Sequence, residues 1–179
     1  RRRRLAPPAA RAAEVAPDNT LFVLNTNHEL QRLAPGASAW TTVASGVQSF
    51  TMTKEGIVYA LNDNGQLLRQ QHARHSDQWV LSTLNTGVQS FSVTANGVLY
   101  DLNDRNELQR LTSSGRRFVR IATGVSSLQQ AADGTIYTLN ESGRLTQLSS
   151  LTSPSRAILA EDARLGEVVL DLVLPDGLH

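Results

Sequence analysis

The chain has 179 residues, enough for one ordinary domain with tails, or one domain and a fragment of another. It carries no cysteine, which excludes disulfides and cysteine-ligated metal, and no apolar run reaches the roughly 18 residues a membrane helix needs. The formal charge of +1 becomes −4 once the five arginines Arg1 to Arg4 and Arg11 are set aside (1 − 5), so the remainder is mildly acidic and offers no large basic face to nucleic acid.

In chain order, residues 1–12 read as a low-complexity Arg/Ala/Pro tail, expected to be disordered and solvated. A chain that begins with Arg1 reads as a fragment or a processed form. Repeats follow over residues 13–150. Their mark is an asparagine at 25, 62, 103 and 140, in steps of 37, 41 and 37 residues. Each closes a segment such as Gly56-Ile57-Val58-Tyr59-Ala60-Leu61-Asn62 or Gly97-Val98-Leu99-Tyr100-Asp101-Leu102-Asn103. Apolar and aromatic residues alternate there with period two, the signature of a strand.

Two turns flank that strand. Glu55-Gly56, Asn96-Gly97 and Asp133-Gly134 precede it and are expected to form tight type I′ hairpins. The asparagine opens the second turn, where its side chain can bond the backbone two residues on. The turn closes at His28, Gly65, Asn106 or Gly143, residues that tolerate a left-handed conformation, as a type I turn with a glycine-type bulge requires. A third strand comes next. A fourth begins near Trp40, Trp79 or Phe118, and a Gly-Val pair opens the following unit. The alanine-rich stretch Ala12 to Ala16 takes the place of the first inner strand and predicts a short, weak strand or none.

A lone four-stranded meander leaves two apolar faces that it cannot bury. Stacking successive meanders face to face solves this. The fold class is therefore all-β: a β-propeller of four visible four-stranded antiparallel blades, either a small closed propeller or an arc of a larger one. The expected core includes Phe22, Leu24, Phe50, Ile57, Tyr59, Leu61, Phe91, Tyr100, Leu102, Ile136, Tyr137 and Leu139. The motif Gly-x-x-Tyr-x-Leu-Asn with its Gly-Val opening resembles the short blades of bacterial multi-repeat propellers and, loosely, tectonin-type lectin propellers.

Residues 151–179 read as a linker followed by one of two things. Ala157 to Leu172, with Ala160-Glu161-Asp162 and Gly166-Glu167-Val168-Val169, resembles the opening of a cadherin-like repeat. That resemblance implies calcium at the C-terminal segment, with Glu161 as the metal ligand, although the family's following Asp-x-Asp is missing. Alternatively Ala157 to Ala160 completes the fourth blade, and Gly166 to Leu174 starts a further one.

No catalytic constellation emerges. His72 and His75 lack a third ligand at a metal spacing and read as a polar loop. No cofactor is expected in the propeller. The binding candidates are Trp40 and Trp79, which could stack on a sugar but share a packing position with Phe118, and the inner-strand Gln48 and Gln89. Arg32, Arg69 and Arg110 recur after the third-strand leucine and read as a solvated ladder. The expectation is a non-catalytic interaction or adhesion scaffold, a module of a larger bacterial surface or secreted protein. Its ligand would be a protein or a glycan, without nucleic acid or membrane insertion, and self-association would follow if the propeller is incomplete. A lectin-type propeller and a propeller enzyme are the alternatives.

Overall fold

The computed structural model describes residues 9–72 and 79–148. The chain divides into two compact units, residues 1–88 and 89–179. Every described element is a β-strand. In the first unit, blade 1 comprises β1 (Ala10–Val15), β2 (Leu21–Asn25), β3 (Leu30–Leu33) and β4 (Thr41–Ala44). Blade 2 comprises β5 (Val47–Met52), β6 (Val58–Asn62), β7 (Leu67–His72) and β8 (Trp79–Asn85). In the second unit, blade 3 is β9 (Val88–Val93), whose first residue marks the division, with β10 (Leu99–Asn103), β11 (Leu108–Leu111) and β12 (Phe118–Ala122). Blade 4 is β13 (Val125–Gln130), β14 (Ile136–Asn140) and β15 (Leu145–Leu148). Each sheet is a meander with strands in sequence order. The fourth sheet has three strands among the described residues, and the outer strand expected of it at Ala157 to Ala160 lies outside them. Residues 73–78, with His75, and residues 149–179, with Glu161 and the cadherin-like segment, lie outside the described residues.

The first strand is longer than expected. β1 starts at Ala10, inside the stretch assigned to the tail, and runs six exposed residues. Its alanines bury little, but its backbone pairs with β2 from Ala10↔Asn25 to Val15↔Leu21. Ladder hydrogen bonds do not depend on side-chain size, so a weak sequence still takes the fourth place in the sheet.

Both turns of each blade share one geometry. At the first turn of blade 2, the Gly56 N–H donates to Thr53 O at 2.9 Å and the Thr53 N–H to Ile57 O at 2.9 Å. Gly56 has φ +86° while Glu55 stays in the ordinary region. That is a type I turn closed by a glycine bulge, and not type I′, which needs two successive positive φ values. The second turn repeats it: the Gly65 N–H donates to Asn62 O at 3.1 Å and the Asn62 N–H to Gln66 O at 3.1 Å. His28 and Asn106 hold the left-handed position in blades 1 and 3 at φ 61° and 58°.

The asparagines are turn scaffolds, with one more bond than expected. Asn103 Oδ1 accepts from the N–H groups of Arg105 and Glu107, both at 3.0 Å, and Asn103 Nδ2 donates to Glu107 Oε2 at 2.8 Å. Asn25 does the same with Asn27 and Glu29, and Asn62 with Asn64 and Gln66. Asn140 Oδ1 accepts from Ser142 and Arg144. A carboxamide suits this place because it offers an acceptor and donors on one short arm.

Within each unit the first blade turns a trailing face toward the second, which meets it with a leading face, and the names are kept for the matching faces of all four blades. In the first unit, Phe22, Leu24 and Leu30 on the trailing face of blade 1 meet Val47, Val58 and Ala60 on the leading face of blade 2, with Phe50, Met52 and Trp79 beside them. In the second, Tyr100, Leu102 and Leu108 meet Val125, Leu128 and Ile136. Phe22, Leu24, Tyr59, Leu61, Tyr100, Leu102 and Ile136 are buried, as expected of the core. Phe50, Phe91 and Tyr137 are half-buried. Ile57 and Leu139 contradict the expectation, being 40% and 37% exposed. Ile57 follows the left-handed Gly56, before β6 begins, and lies outside the pleat that buries Val58 to Leu61.

Candidate functional site

The inner strands carry an irregularity that aims one side chain out of the ladder. In β5 the pairing with β6 slips between Val47 and Ser49, leaving Gln48 as the extra residue. The same slip in β13 leaves Ser126 out, and in β1 it leaves Arg11 out. Gln89 holds the equivalent place in β9. A β-bulge of this kind re-aims a side chain and frees it from pairing. All four residues are exposed. Gln89 Nε2 donates to Asn103 O at 2.9 Å and Ser126 Oγ to Leu139 O at 2.9 Å, so these two are held against the neighbouring strand. Arg11 Nη1 lies 3.1 Å from His28 Nε2. Arg11 was absent from the expected binding residues because it was placed in the tail. The 37-residue step that sets Phe22 on Tyr59 also sets Arg11 on Gln48.

Beside these bulges lies the seam between consecutive blades. In the first unit, the Val47 N–H donates to His28 O at 2.8 Å, and His28 Nδ1 stands 3.7 Å from Asp63 Oδ1. In the second, the Val125 N–H donates to Asn106 O at 3.0 Å, and Asn106 Nδ2 donates to Glu141 Oε1 at 2.9 Å. The polar residues of the turns are therefore engaged in holding one blade to the next.

The tryptophans are packed. The Trp79 ring lies 5.3 Å from the Phe22 ring, tilted by 40°, and the Arg32 guanidinium stands 5.9 Å from its centroid. That is an inter-blade stack with a cation–π contact, and it occupies the ring surface a sugar would need. Trp40 is half-buried just ahead of β4, and its Nε1 is buried with no hydrogen-bond partner among the described residues.

The arginine ladder is half-buried, not solvated. Register explains this, because Arg32, Arg69 and Arg110 pair across the strands with Phe22, Tyr59 and Tyr100. Cross-strand partners share a face of the sheet, so each arginine stands beside an aromatic residue on the trailing face, where a long side chain can cover apolar surface. Burial raises the Tyr100 hydroxyl above its ordinary pKa, and Arg110 opposes that shift in part.

Two electrostatic features escaped the sequence reading. Asp101 is fully buried where the other blades have Val23, Ala60 and Thr138, and only the repeat register exposes the substitution. The Glu107 carboxyl is held below its ordinary pKa, because Asn103 and then Arg120, 3.0 Å away, donate hydrogen bonds to it. Among the described residues no three histidine, aspartate or glutamate side chains converge as a metal site would require.

Comparison with known proteins bears on the fold. No family model matches the chain, and no curated protein does. Solved structures do. The chain is similar to the extracellular domain of a one-component system from Bacteroides thetaiotaomicron, with 15% identity and a TM-score of 0.55 over 83% of this chain and 22% of that one. It is similar to YCF48 bound to D1 peptide, with 11% identity and a TM-score of 0.52 over 79% of this chain and 50% of that one. It is also similar to the C-terminal WD40 domain of Sif2, with 10% identity and a TM-score of 0.53 over 89% of this chain and 47% of that one. The chain therefore spans half or less of the length of these structures. With its antiparallel meanders in sequence order, the fold is of the β-propeller type.

Proposed function

We propose that the chain is a non-catalytic binding scaffold whose innermost strands present bulged side chains to a protein ligand, as a module of an extracellular or surface protein. The observation that carries this reading is the recurrence of the bulge. The fold repeats the same outward aim at Arg11, Gln48 and Ser126, and fills the place with side chains that hydrogen-bond but do not form an acid–base set. The remaining recurrent polar groups support turns and seams. The peptide-bound state of YCF48 and the extracellular placement of the Bacteroides domain support a polypeptide ligand outside the cell.

Selection from a displayed peptide library against the immobilised 179-residue protein tests this. Selected peptides should lose at least about tenfold in affinity, roughly 1.4 kcal/mol, against the double variants Arg11→Ala/Gln48→Ala or Gln89→Ala/Ser126→Ala. Unchanged affinity in both variants would remove the inner strands as the site. Saturable signals on a glycan array that vanish in Trp79→Ala would replace the reading with a lectin. Turnover of a substrate by the wild type would replace it with an enzyme.

A further inference from the structure

We propose that Asn96 is a site of spontaneous backbone modification, converting through a cyclic imide to aspartate and isoaspartate, while Asn64, in the same dipeptide, is protected. The sequence holds two Asn-Gly pairs, Asn64-Gly65 and Asn96-Gly97. Glycine in second place matters because the attacking atom is the backbone nitrogen of the residue after the asparagine, and a side chain there would stand in its way. Both asparagines are exposed. Both also occupy the third place of a type I turn closed by its glycine: the Gly65 N–H donates to Asn62 O at 3.1 Å and the Gly97 N–H to Thr94 O at 2.9 Å. Dipeptide, exposure and turn are matched, so a difference in reactivity belongs to the surroundings.

Gly65 is clamped. Its carbonyl accepts from the Val88 N–H at 2.9 Å, and a Cβ there would come within 3.3 Å of Val88 O. The Asp63 N–H donates to Gly46 O at 2.7 Å and the Asn64 N–H to Asn62 Oδ1 at 3.1 Å, so the chain on the other side is held as well. Gly97 is exposed, and a Cβ there meets nothing within 4 Å among the described residues. Contact with the hairpin of blade 4 ends at Ala95, which lies against Gly134. Turning the Asn96–Gly97 peptide toward the carboxamide breaks the bond to Thr94 O and displaces no neighbour. Thr94 also assists. Its Oγ1 donates to Asn96 Oδ1, where negative charge gathers as nitrogen adds to Cγ, and a donor placed there stabilises that charge. In the step itself Gly97 N gives up its proton and bonds Cγ, the Cγ–Nδ2 bond breaks, and ammonia leaves. Water then opens the imide at either carbonyl, leaving aspartate or, with the main chain routed through the side-chain carbon, isoaspartate.

The test is peptide mapping by mass spectrometry of the full chain stored at mildly alkaline pH, folded and in concentrated urea, with isoaspartate labelled by enzymatic methyl transfer. In the folded protein Asn96 should convert at least about tenfold faster than Asn64. In urea the two rates should converge, because the unfolded dipeptides are alike. Thr94→Val should slow Asn96 in the folded protein and leave Asn64 unchanged, and Thr94→Ser, which keeps the hydroxyl, should convert as the wild type does. Equal rates at the two asparagines of the folded chain overturn the proposal, as does conversion of Asn96 confined to urea. An unchanged rate in Thr94→Val overturns the part assigned to the hydroxyl.

Discussion

Blades 3 and 4 are built from nearly the same repeat, and their matching residues live in different surroundings. Tyr100 and Leu102 are buried on the trailing face of blade 3, whereas Tyr137 is half-buried and Leu139 exposed on that of blade 4. Their leading-face residues differ little: Leu99 is 1% exposed and Ile136 0%. In a repeat fold the burial of a residue is a property of the next unit as much as of its own. The stability of blade 4 should accordingly depend less on its trailing-face leucine than that of blade 3.

The largest expected effect tests this directly. Leu102→Ala removes a fully enclosed side chain and should cost about 2–5 kcal/mol, while Leu139→Ala should cost less than about 1 kcal/mol. Urea unfolding followed by far-UV circular dichroism measures both. Equal costs would mean that the face bearing Leu139 is covered in solution as closely as blade 4 covers Leu102.

The turn asparagines come next. Asn103 is 4% exposed and accepts from two backbone N–H groups, so Asn103→Ala leaves both without their acceptor and should cost about 1–3 kcal/mol. Asn140 is half-exposed and lacks the carboxylate partner that Glu107 provides to Asn103, because Arg144 stands there. Water can replace part of what Asn140→Ala removes, and the loss should be about 0.5–1 kcal/mol. Chemical denaturation of the two variants gives the ratio. A cost at Asn140 matching that at Asn103 would show that burial of the turn does not set its value.

Much of this fold was legible because turn chemistry is local. The asparagine and the left-handed residue three positions on announce the second turn from the sequence, and Asn62, Asn103 and Gly65 do there what their types suggest. The first turn was assigned the wrong type because Glu55-Gly56 and Asp133-Gly134 resemble type I′ pairs, and only the pattern of φ distinguishes the glycine bulge. What depends on a neighbour was less legible. No local pattern distinguishes Leu139 from Leu102, reveals that Arg32 lies over Trp79 of the next blade, or shows that Asp101 is enclosed. Of the positions proposed as the site, Gln48 and Gln89 stand out in the sequence as polar inner-strand residues, whereas the bulge that aims Gln48 outward is a register effect, and the weak first copy conceals Arg11.

Glycine at the first turn sharpens the comparison further. Gly97 and Gly134 are repeat counterparts with φ of +83° and +86°. A Cβ at Gly97 meets nothing within 4 Å, so Gly97→Ala should cost only the left-handed strain of about 1–2 kcal/mol. A Cβ at Gly134 comes within 3.2 Å of Ala95 Cβ and 3.4 Å of Ala95 N, on a strand connection of the preceding blade. Backbone there cannot yield freely, and Gly134→Ala should cost more than Gly97→Ala by thermal denaturation. Equal losses would mean that the hairpin of blade 4 does not sit close against blade 3.

The smallest expected effect is on pH dependence. Among the described residues three carboxyls are held below their ordinary range: Asp18 and Asp133 by the N–H groups of Thr20 and Thr135, and Glu107 by Asn103 and then Arg120. A lowered folded-state pKa contributes stability that is complete above the unfolded value, near pH 4, and disappears as pH falls through the lowered value. The melting temperature should therefore decline from about pH 4 downward. Glu107→Gln isolates the share of blade 3. Its amide oxygen can still accept from Asn103 as Gln66 accepts from Asn62 at 2.8 Å in blade 2, but the charge facing Arg120 is gone. The variant should be slightly less stable at neutral pH and should decline more gently in acid, whereas Asp133→Asn should soften the same slope from blade 4. An acid slope unchanged by Glu107→Gln would assign the pH dependence to the hairpin aspartates, and the turn of blade 3 would then owe its stability to the carboxamide of Asn103 and not to the charge beside it.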